Sequence, residues 1–284
     1  MTKTRKLREL INGTQTIISP CAYDALSARL IQQAGFQMMG TTGYGMHGTM
    51  LGTPDNGLLA FNEMVDMCSK IAAAVELPVL ADAEGGYGNA INTYRTVKEF
   101  ERAGLAGLFI EDQQLPPSCP FLKTPELISI EEMCGKIRAA IDARTDSDFV
   151  IVARTDAPFD EAIMRAAAYQ EAGADMIKIV PKTKQELIDL PQQVKLPLHL
   201  GFVPGKEINM GLTANDAAKM GYRIITFPMT ALFSNLCGVS RSLQYLKEHK
   251  TDEGFEAMAT FDDYLQVVDA EKYRQMDAKY LLQQ

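Results

Sequence analysis

Three short stretches set charged groups at the end of apolar runs. Asp82-Ala83-Glu84 follows PVLA, Glu111-Asp112 closes AGLFI, and Arg154-Thr155-Asp156 closes FVIVA. Drawing like charges out of water is costly unless a cation neutralises them. A hard divalent ion with oxygen ligands does this, and Mg²⁺ needs only one or two direct carboxylates because it keeps several waters. Asp82 is read as the direct ligand, with Glu84 and Glu111 joining directly or through water. The competing reading is that these acids only cap the helices that follow them. Arg154 needs an anion, and its planar fork suits a substrate carboxylate; an internal pair with Asp156 or Glu111 would satisfy it too. The glycine-rich GTTGYG, read as a loop, would let backbone N–H groups approach an anionic group. Lys178 lies in the middle of MIKIVP. A lysine there either forms a Schiff base once burial lowers its pKa, or pairs with carboxylates, or snorkels.

The elements that must position these residues alternate in texture. Short β-rich apolar runs fall at 16–23, 36–42, 78–84, 106–112, 149–156, 176–181, 197–202 and 223–228. Between them ALSARLIQQAG, FNEMVDMCSKIAAAVE, NTYRTVKEFERAG, IEEMCGKIRAAIDA and EAIMRAAAYQEAGA repeat apolar residues at helical spacing, and AG near several ends marks a C-cap. Eight strand–helix units predict an α/β fold, a (β/α)₈ TIM barrel. The strands lack clean alternation, as strands buried on both faces do. The chain reads as a single domain over 1–284. Its 229–284 segment is a helical tail longer than barrel closure needs, expected to pack on or swap with a neighbouring subunit. In such a barrel the loops after the strands build the active site, and the charged stretches lie there. The methionines at 38, 39, 46, 50, 64 and 67 read as core filler.

Composition narrows the function. A net charge of −8 and a pI near 5.0 argue against a nucleic-acid surface. No apolar run reaches the roughly 20 residues of a membrane span, and MTKTRKLRELINGT has no apolar core of a signal peptide. The five cysteines (21, 68, 119, 134, 237) form no CxxC and are read as reduced thiols of a cytoplasmic protein. The three histidines, His47, His199 and His249, have no metal-ligand spacing. His47 and His199 stand near strand ends and are expected to be packed or solvent-facing.

Several blocks in order, CAYDALSARLIQQAGF, LGTPDNGLL, LADAEGGYGNAINTYRTVKEFERAG, GLFIEDQ, LISIEEMCGKIRAA and FVIVARTDA, resemble the isocitrate lyase/phosphoenolpyruvate mutase superfamily over most of the chain. The resemblance implies a Mg²⁺-binding barrel (Mn²⁺ the alternative ion) acting on a small keto- or hydroxy-carboxylate through an enolate. It also implies a homotetramer with an exchanged C-terminal helix. By motif, Asp82 matches the principal metal aspartate, Glu84 stands where relatives carry Asp, and Glu111 matches the metal-shell glutamate. Tyr23, Asp24, Thr41, Thr42, Gly43 and Arg154 match positions of the catalytic and substrate-holding set.

Lyases of this family carry Lys-Arg-Cys-Gly-His in the loop after strand four, which falls here on Pro117-Ser118-Cys119-Pro120-Phe121. The cysteine stays and its basic neighbours are gone. A thiol needs a nearby cation or helix N-terminus to ionise at neutral pH. Cys119 is therefore read as a loop-packing residue, with a retained acid/base role as the alternative. Val180 and Gly201 replace a Glu and an Asn of the lyase type. The resemblance is nearest to oxaloacetate decarboxylase-like members. The alternatives are a methylisocitrate or dimethylmalate type of C–C lyase, a P–C bond enzyme of phosphonomutase or phosphonopyruvate hydrolase type, a Schiff-base aldolase through Lys178, and a non-catalytic metabolite-binding barrel.

Overall fold

The structure is a computed structural model of the 284-residue chain and describes residues 1–120, 123–205 and 211–281. Eight parallel strands close on themselves in sequence order: β1 (Ile17–Ala22), β2 (Met39–Thr41), β3 (Val79–Asp82), β4 (Gly107–Glu111), β5 (Val150–Thr155), β6 (Met176–Ile179), β7 (Leu198–Gly201) and β8 (Ile224–Phe227). The ring is sealed by β8 pairing with β1, with Ile17 opposite Ile224 and Ser19 opposite Thr226. This is the α/β barrel that the eight-fold alternation predicts.

The helices are α1 (Lys3–Asn12), α2 (Ala25–Gln33), α3 (Gly43–Leu51), α4 (Phe61–Ala74), α5 (Ala90–Arg102), α6 (Ile130–Ala143), α7 (Phe159–Glu171), α8 (Lys184–Gln193), α9 (Ala214–Met220), α10 (Thr230–His249), α11 (Phe261–Val267) and α12 (Ala270–Tyr280). Side chains start most of them. Asp24, Asn89, Ser129 and Thr183 each accept a backbone N–H of the first turn of the helix they precede. The AG pairs stop others: Gly35, Gly104 and Gly173 follow the C-caps of α2, α5 and α7 with φ of 83°, 84° and 106°.

Two apolar layers result. Outward faces of the strands pack on the surrounding helices. The inward faces of Ile17, Met38, Leu80, Phe109, Val152 and Met176 fill the lower barrel. Helix α1, which the sequence reading did not assign, plugs the bottom with Leu7 and Ile11 at 0% and 2% exposure. Fully burying two such side chains contributes about 1.5–3 kcal/mol each. Polar ties hold α1 in place: Thr4 Oγ1 donates to Asp146 Oδ2 at 2.6 Å, and Arg8 Nη1 pairs with Asp175 Oδ1 at 2.7 Å. Above this floor a cavity lies at the C-terminal ends of the strands. Met38, Met39, Met46 and Met64 are fully buried, but Met50 is 43% exposed, so it is not core filler.

Helices α10 to α12 lie outside the barrel, and no residue of any of them is buried. Phe233, Leu236, Val239, Leu243 and Leu246 recur at three- and four-residue spacing along α10, all at least 39% exposed. Among the described residues no helix is long and apolar enough to cross a membrane.

Candidate active site

The strand ends open into a cavity of about 170 Å³ lined by Thr41, Thr42, Asp55, Asp82, Glu84 and Glu111 on one side. Arg154, Lys178, Val180, His199, Gly201 and Thr226 line the other, and Ser118, Cys119 and Pro120 cover it. Strand parity explains the selection. Glu111, Arg154, Lys178 and His199 are register partners on four successive strands, and all four line the cavity. Asp112, one residue on, turns outward and accepts from Tyr169 Oη at 2.7 Å and Arg165 Nη1 at 3.0 Å. The paired acids Glu111-Asp112 thus split into a cavity group and a structural ion pair.

The carboxylates crowd as the sequence predicts, and they are held in place. Asp82 Oδ2 accepts the Gly43 N–H at 3.2 Å and Oδ1 accepts the Glu84 N–H at 3.1 Å, while the Asp82 N–H donates to Thr41 Oγ1 at 2.8 Å. Glu84 has φ = 51°, a left-handed conformation that costs a non-glycine residue roughly 1–2 kcal/mol. That strain turns its carboxylate inward, where Oε1 is buried without a hydrogen-bond partner. Burial, then the charge of Asp82, drives the Glu84 pKa well above the carboxylate range. Burial lifts Glu111 to about 8 against the pull of Arg154, and burial with Asp82 raises Asp55.

These donors fit a divalent cation. A Cβ on Gly43 would lie 2.9 Å from Glu84 Oε1 and 3.0 Å from Asp82 Oδ2, so a cradle stands open between the two carboxylates. Ligand atoms of His47, Asp55 and Glu84 also lie within 4.8 Å of one another. His47 is an unsuitable ligand. Its Nδ1 bonds to Gly43 O at 2.8 Å and its Nε2 accepts the N–H groups of Leu58 and Leu59 at 3.1 and 3.2 Å. The fitting set is Asp82, Glu84 and Asp55. Sequence reading missed Asp55 because it lies in the α3–α4 connection rather than at a strand end; only its place in LGTPDNGLL marked it.

Arg154 is held on both sides, Nη1 by Glu111 Oε2 at 2.8 Å and Nη2 by Asp156 Oδ2 at 2.9 Å, and its Nε is buried without a partner. The internal pairs anticipated as its competing role are therefore present. Glu111 consequently belongs to the arginine as much as to a cation.

The other expected residues are placed as follows. Tyr23 and Asp24 do not line the cavity: Tyr23 Oη accepts from Asn235 Nδ2 at 2.8 Å, and Asp24 is the N-cap of α2. GTTGYG is not an open loop. Thr42 caps α3, which begins at Gly43, and the Gly43 N–H is already committed to Asp82. Glycine is a poor helix former, but a Cβ at Gly45 would sit 2.8 Å from Tyr23 Cβ, so close packing requires it. His199 is buried, with its Nε2 2.5 Å from Thr226 Oγ1. Cys119 is 7% exposed and its N–H donates to Asp55 O at 3.1 Å. Phe121 lies outside the described residues.

The covering loop is tied to the site. Ser118 N–H donates to Gln113 Oε1 at 3.0 Å, and Gln113 Nε2 donates to Asp156 Oδ2 at 3.0 Å. Gly57 leaves room for Pro117, whose Cδ would lie 2.7 Å from a Cβ there.

A closed parallel barrel with clustered carboxylates and a tethered arginine at its C-terminal mouth defines a barrel enzyme suited to a small anionic substrate. The family described as phosphoenolpyruvate phosphomutase matches residues 7–245. The chain is 37% identical over 286 aligned positions to the 2,3-dimethylmalate lyase of Eubacterium barkeri, covering 99% of each. It is 36% identical to the oxaloacetate decarboxylase of Pseudomonas fluorescens (strain SBW25), over 87% of this chain and 86% of that one. A crystal structure of phosphonopyruvate hydrolase with oxalate and Mg²⁺ superposes with a TM-score of 0.91 at 31% identity, covering 99% of this chain and 100% of that one. The chain belongs to the phosphoenolpyruvate mutase/isocitrate lyase superfamily and is an enzyme of that lineage.

Proposed function

We propose that this protein is a Mg²⁺-dependent lyase, with Mn²⁺ as the alternative ion, that breaks a bond next to a 2-oxo carboxylate through an enolate. Decarboxylation of oxaloacetate or a close analogue is the reaction the site supports best. One observation carries this choice. The cavity joins a cation cradle to a wall that carries Val180 and Gly201, positions to which the resemblance assigns a Glu and an Asn in the lyase type. The covering loop offers Ser118, Cys119 and Pro120 and no basic side chain among them.

Asp82, Glu84 and Asp55 would hold the ion, which supplies Lewis acidity toward a 2-oxo oxygen. Arg154, braced by Glu111 and Asp156, orients the adjacent carboxylate and keeps its reacting bond aligned. Val180, Pro181 and Leu200 give the cavity an apolar wall, against which a carboxylate would be favoured to leave as uncharged CO₂. Ser118 to Pro120, latched through Gln113, keep bulk water from the enolate.

A C–C lyase of dimethylmalate type is the second reading, favoured by the placement of Cys119 in the cavity wall. A substrate panel separates the two. Oxaloacetate, 2,3-dimethylmalate, methylisocitrate and phosphonopyruvate are incubated with Mg²⁺ and followed for pyruvate release; preference for oxaloacetate is the expected result, and preference for any other substrate overturns it.

The unpartnered apolar stripe of α10 supports a homotetramer in which the 229–284 tail covers a neighbouring barrel, the remainder of the single domain being the barrel itself. Five thiols with no disulfide support a cytoplasmic location.

A further inference from the structure

Lys178 is the one lysine among the described residues that lines the cavity. It projects from β6 into the cavity, with Nζ 3.9 Å from the centroid of the Phe109 ring. Among the described residues no hydrogen bond holds Nζ and no carboxylate lies within salt-bridge distance of it. What surface the side chain keeps is cavity wall. Burial, then the charge of Arg154, brings the ammonium down to about 8, where an amine can both give and take a proton near neutral pH.

The other candidates on this side of the cavity are committed. Arg154 does not release a proton at neutral pH. His199 is buried and neutral, its pKa driven well below the ordinary value by burial and then by Lys178. Asp82, Glu84 and Asp55 form the cation cradle. Glu111 is held by Arg154 at 2.8 Å, and Cys119 reaches the cavity from the covering loop, its N–H bonded to Asp55 O.

We propose that Lys178 is the acid–base group that protonates the methylene carbon of the enolate from the barrel-axis side of the cavity, and that the protein therefore also exchanges the methyl hydrogens of pyruvate with solvent. This rests on the enolate reading of the site. In the forward direction an Nζ–H bond breaks and a C3–H bond forms from the enolate π pair. The C2–O π bond is restored, and the neutral amine regains a proton from water. In reverse the neutral amine takes a methyl proton and the electron pair moves onto the 2-oxo oxygen.

The test follows CO₂ release from oxaloacetate and, separately, deuterium uptake into pyruvate in D₂O with Mg²⁺. It compares the parent with Lys178→Met, Lys178→Arg and Cys119→Ala. Arginine keeps the positive charge but cannot donate at neutral pH. Expected is a loss of deuterium uptake of roughly 100-fold or more in both Lys178 variants, in the range a positioned acid or base contributes. CO₂ release falls far less, and calorimetric oxalate binding persists. Parent-like exchange in Lys178→Arg overturns the proposal, since charge alone would then suffice. So does exchange lost in Cys119→Ala. Borohydride in the presence of pyruvate and EDTA, read by mass spectrometry, adds an independent arm, and a covalent adduct on Lys178 overturns the proposal in favour of imine chemistry. CO₂ release without any exchange in the parent defeats it while leaving the decarboxylase intact; neither activity in the parent defeats both.

Discussion

Arg154 Nη1 stands 2.8 Å from Glu111 Oε2 across register-paired positions of β5 and β4, and the same guanidinium reaches Asp156 at 2.9 Å. The side chains of Glu111 and Asp156 are 4% and 3% exposed, so neither can turn to bulk water if the arginine is lost. Arg154→Met is expected to destabilise the metal-free protein by roughly 3–5 kcal/mol, the usual cost of orphaning a buried charge. Urea unfolding in EDTA measures this. A loss under 1 kcal/mol would show that the two carboxylates protonate at no cost.

Gly43 sits where a methyl group would enter the cation cradle, 2.9 Å from Glu84 Oε1. Gly43→Ala is expected to weaken Mg²⁺ binding at least tenfold, about 1.4 kcal/mol, with the fold intact by circular dichroism. Unchanged affinity in calorimetry would place the ion elsewhere in the cavity.

His47, within α3, ties that helix to the α3–α4 connection through Nε2, which accepts the Leu58 and Leu59 N–H groups, while its Nδ1 bonds back to Gly43 O in the same helix. His47→Leu removes the acceptor of two backbone N–H groups, one of them buried, and is expected to cost roughly 1–3 kcal/mol. Asp55 loses its setting at the same time, so Mg²⁺ affinity falls with stability. Thermal melts and metal titrations on the same variant would separate this from a ligand role, which would lower affinity and leave metal-free stability unchanged.

His199 sets an acid limit. Its folded-state pKa lies well below the ordinary value of 6.5 because burial disfavours the charged ring. Below about pH 6.5 the unfolded chain therefore binds a proton that the folded chain does not, and stability falls as the pH drops. Replacing the ring by a neutral amide, His199→Gln, is expected to flatten that slope between pH 6.5 and 5 in urea titrations. An unaltered slope would assign the acid sensitivity to other groups.

The barrel was legible because its signal is repetitive. Eight apolar runs such as FVIVARTD alternate with helices that AG pairs close, and buried parallel strands leave little room for another reading. The acids at 82, 84 and 111 were legible because strand C-termini converge. What escaped depended on contacts between segments distant in sequence. Asp55 enters from a connection held by His47 and by the Cys119 N–H. The helix at Gly43 defies glycine's propensity because its neighbours Tyr23 and Glu84 exclude a side chain. Asp24 and Tyr23, at the end of β1, cap α2 and meet Asn235 of α10, contacts that no sequence pattern marked. Arg154 was read as needing an anion, with Asp156 or Glu111 named as internal partners, and the structure shows both pairs at once.

The most direct test of the account is a ¹H NMR time course of oxaloacetate with Mg²⁺, run beside metal-only, EDTA and Asp82→Ala controls. The account predicts pyruvate formation well above the metal-only rate, abolished by EDTA and by Asp82→Ala and retained by Cys119→Ala. Pyruvate formation no faster than with Mg²⁺ alone would contradict it.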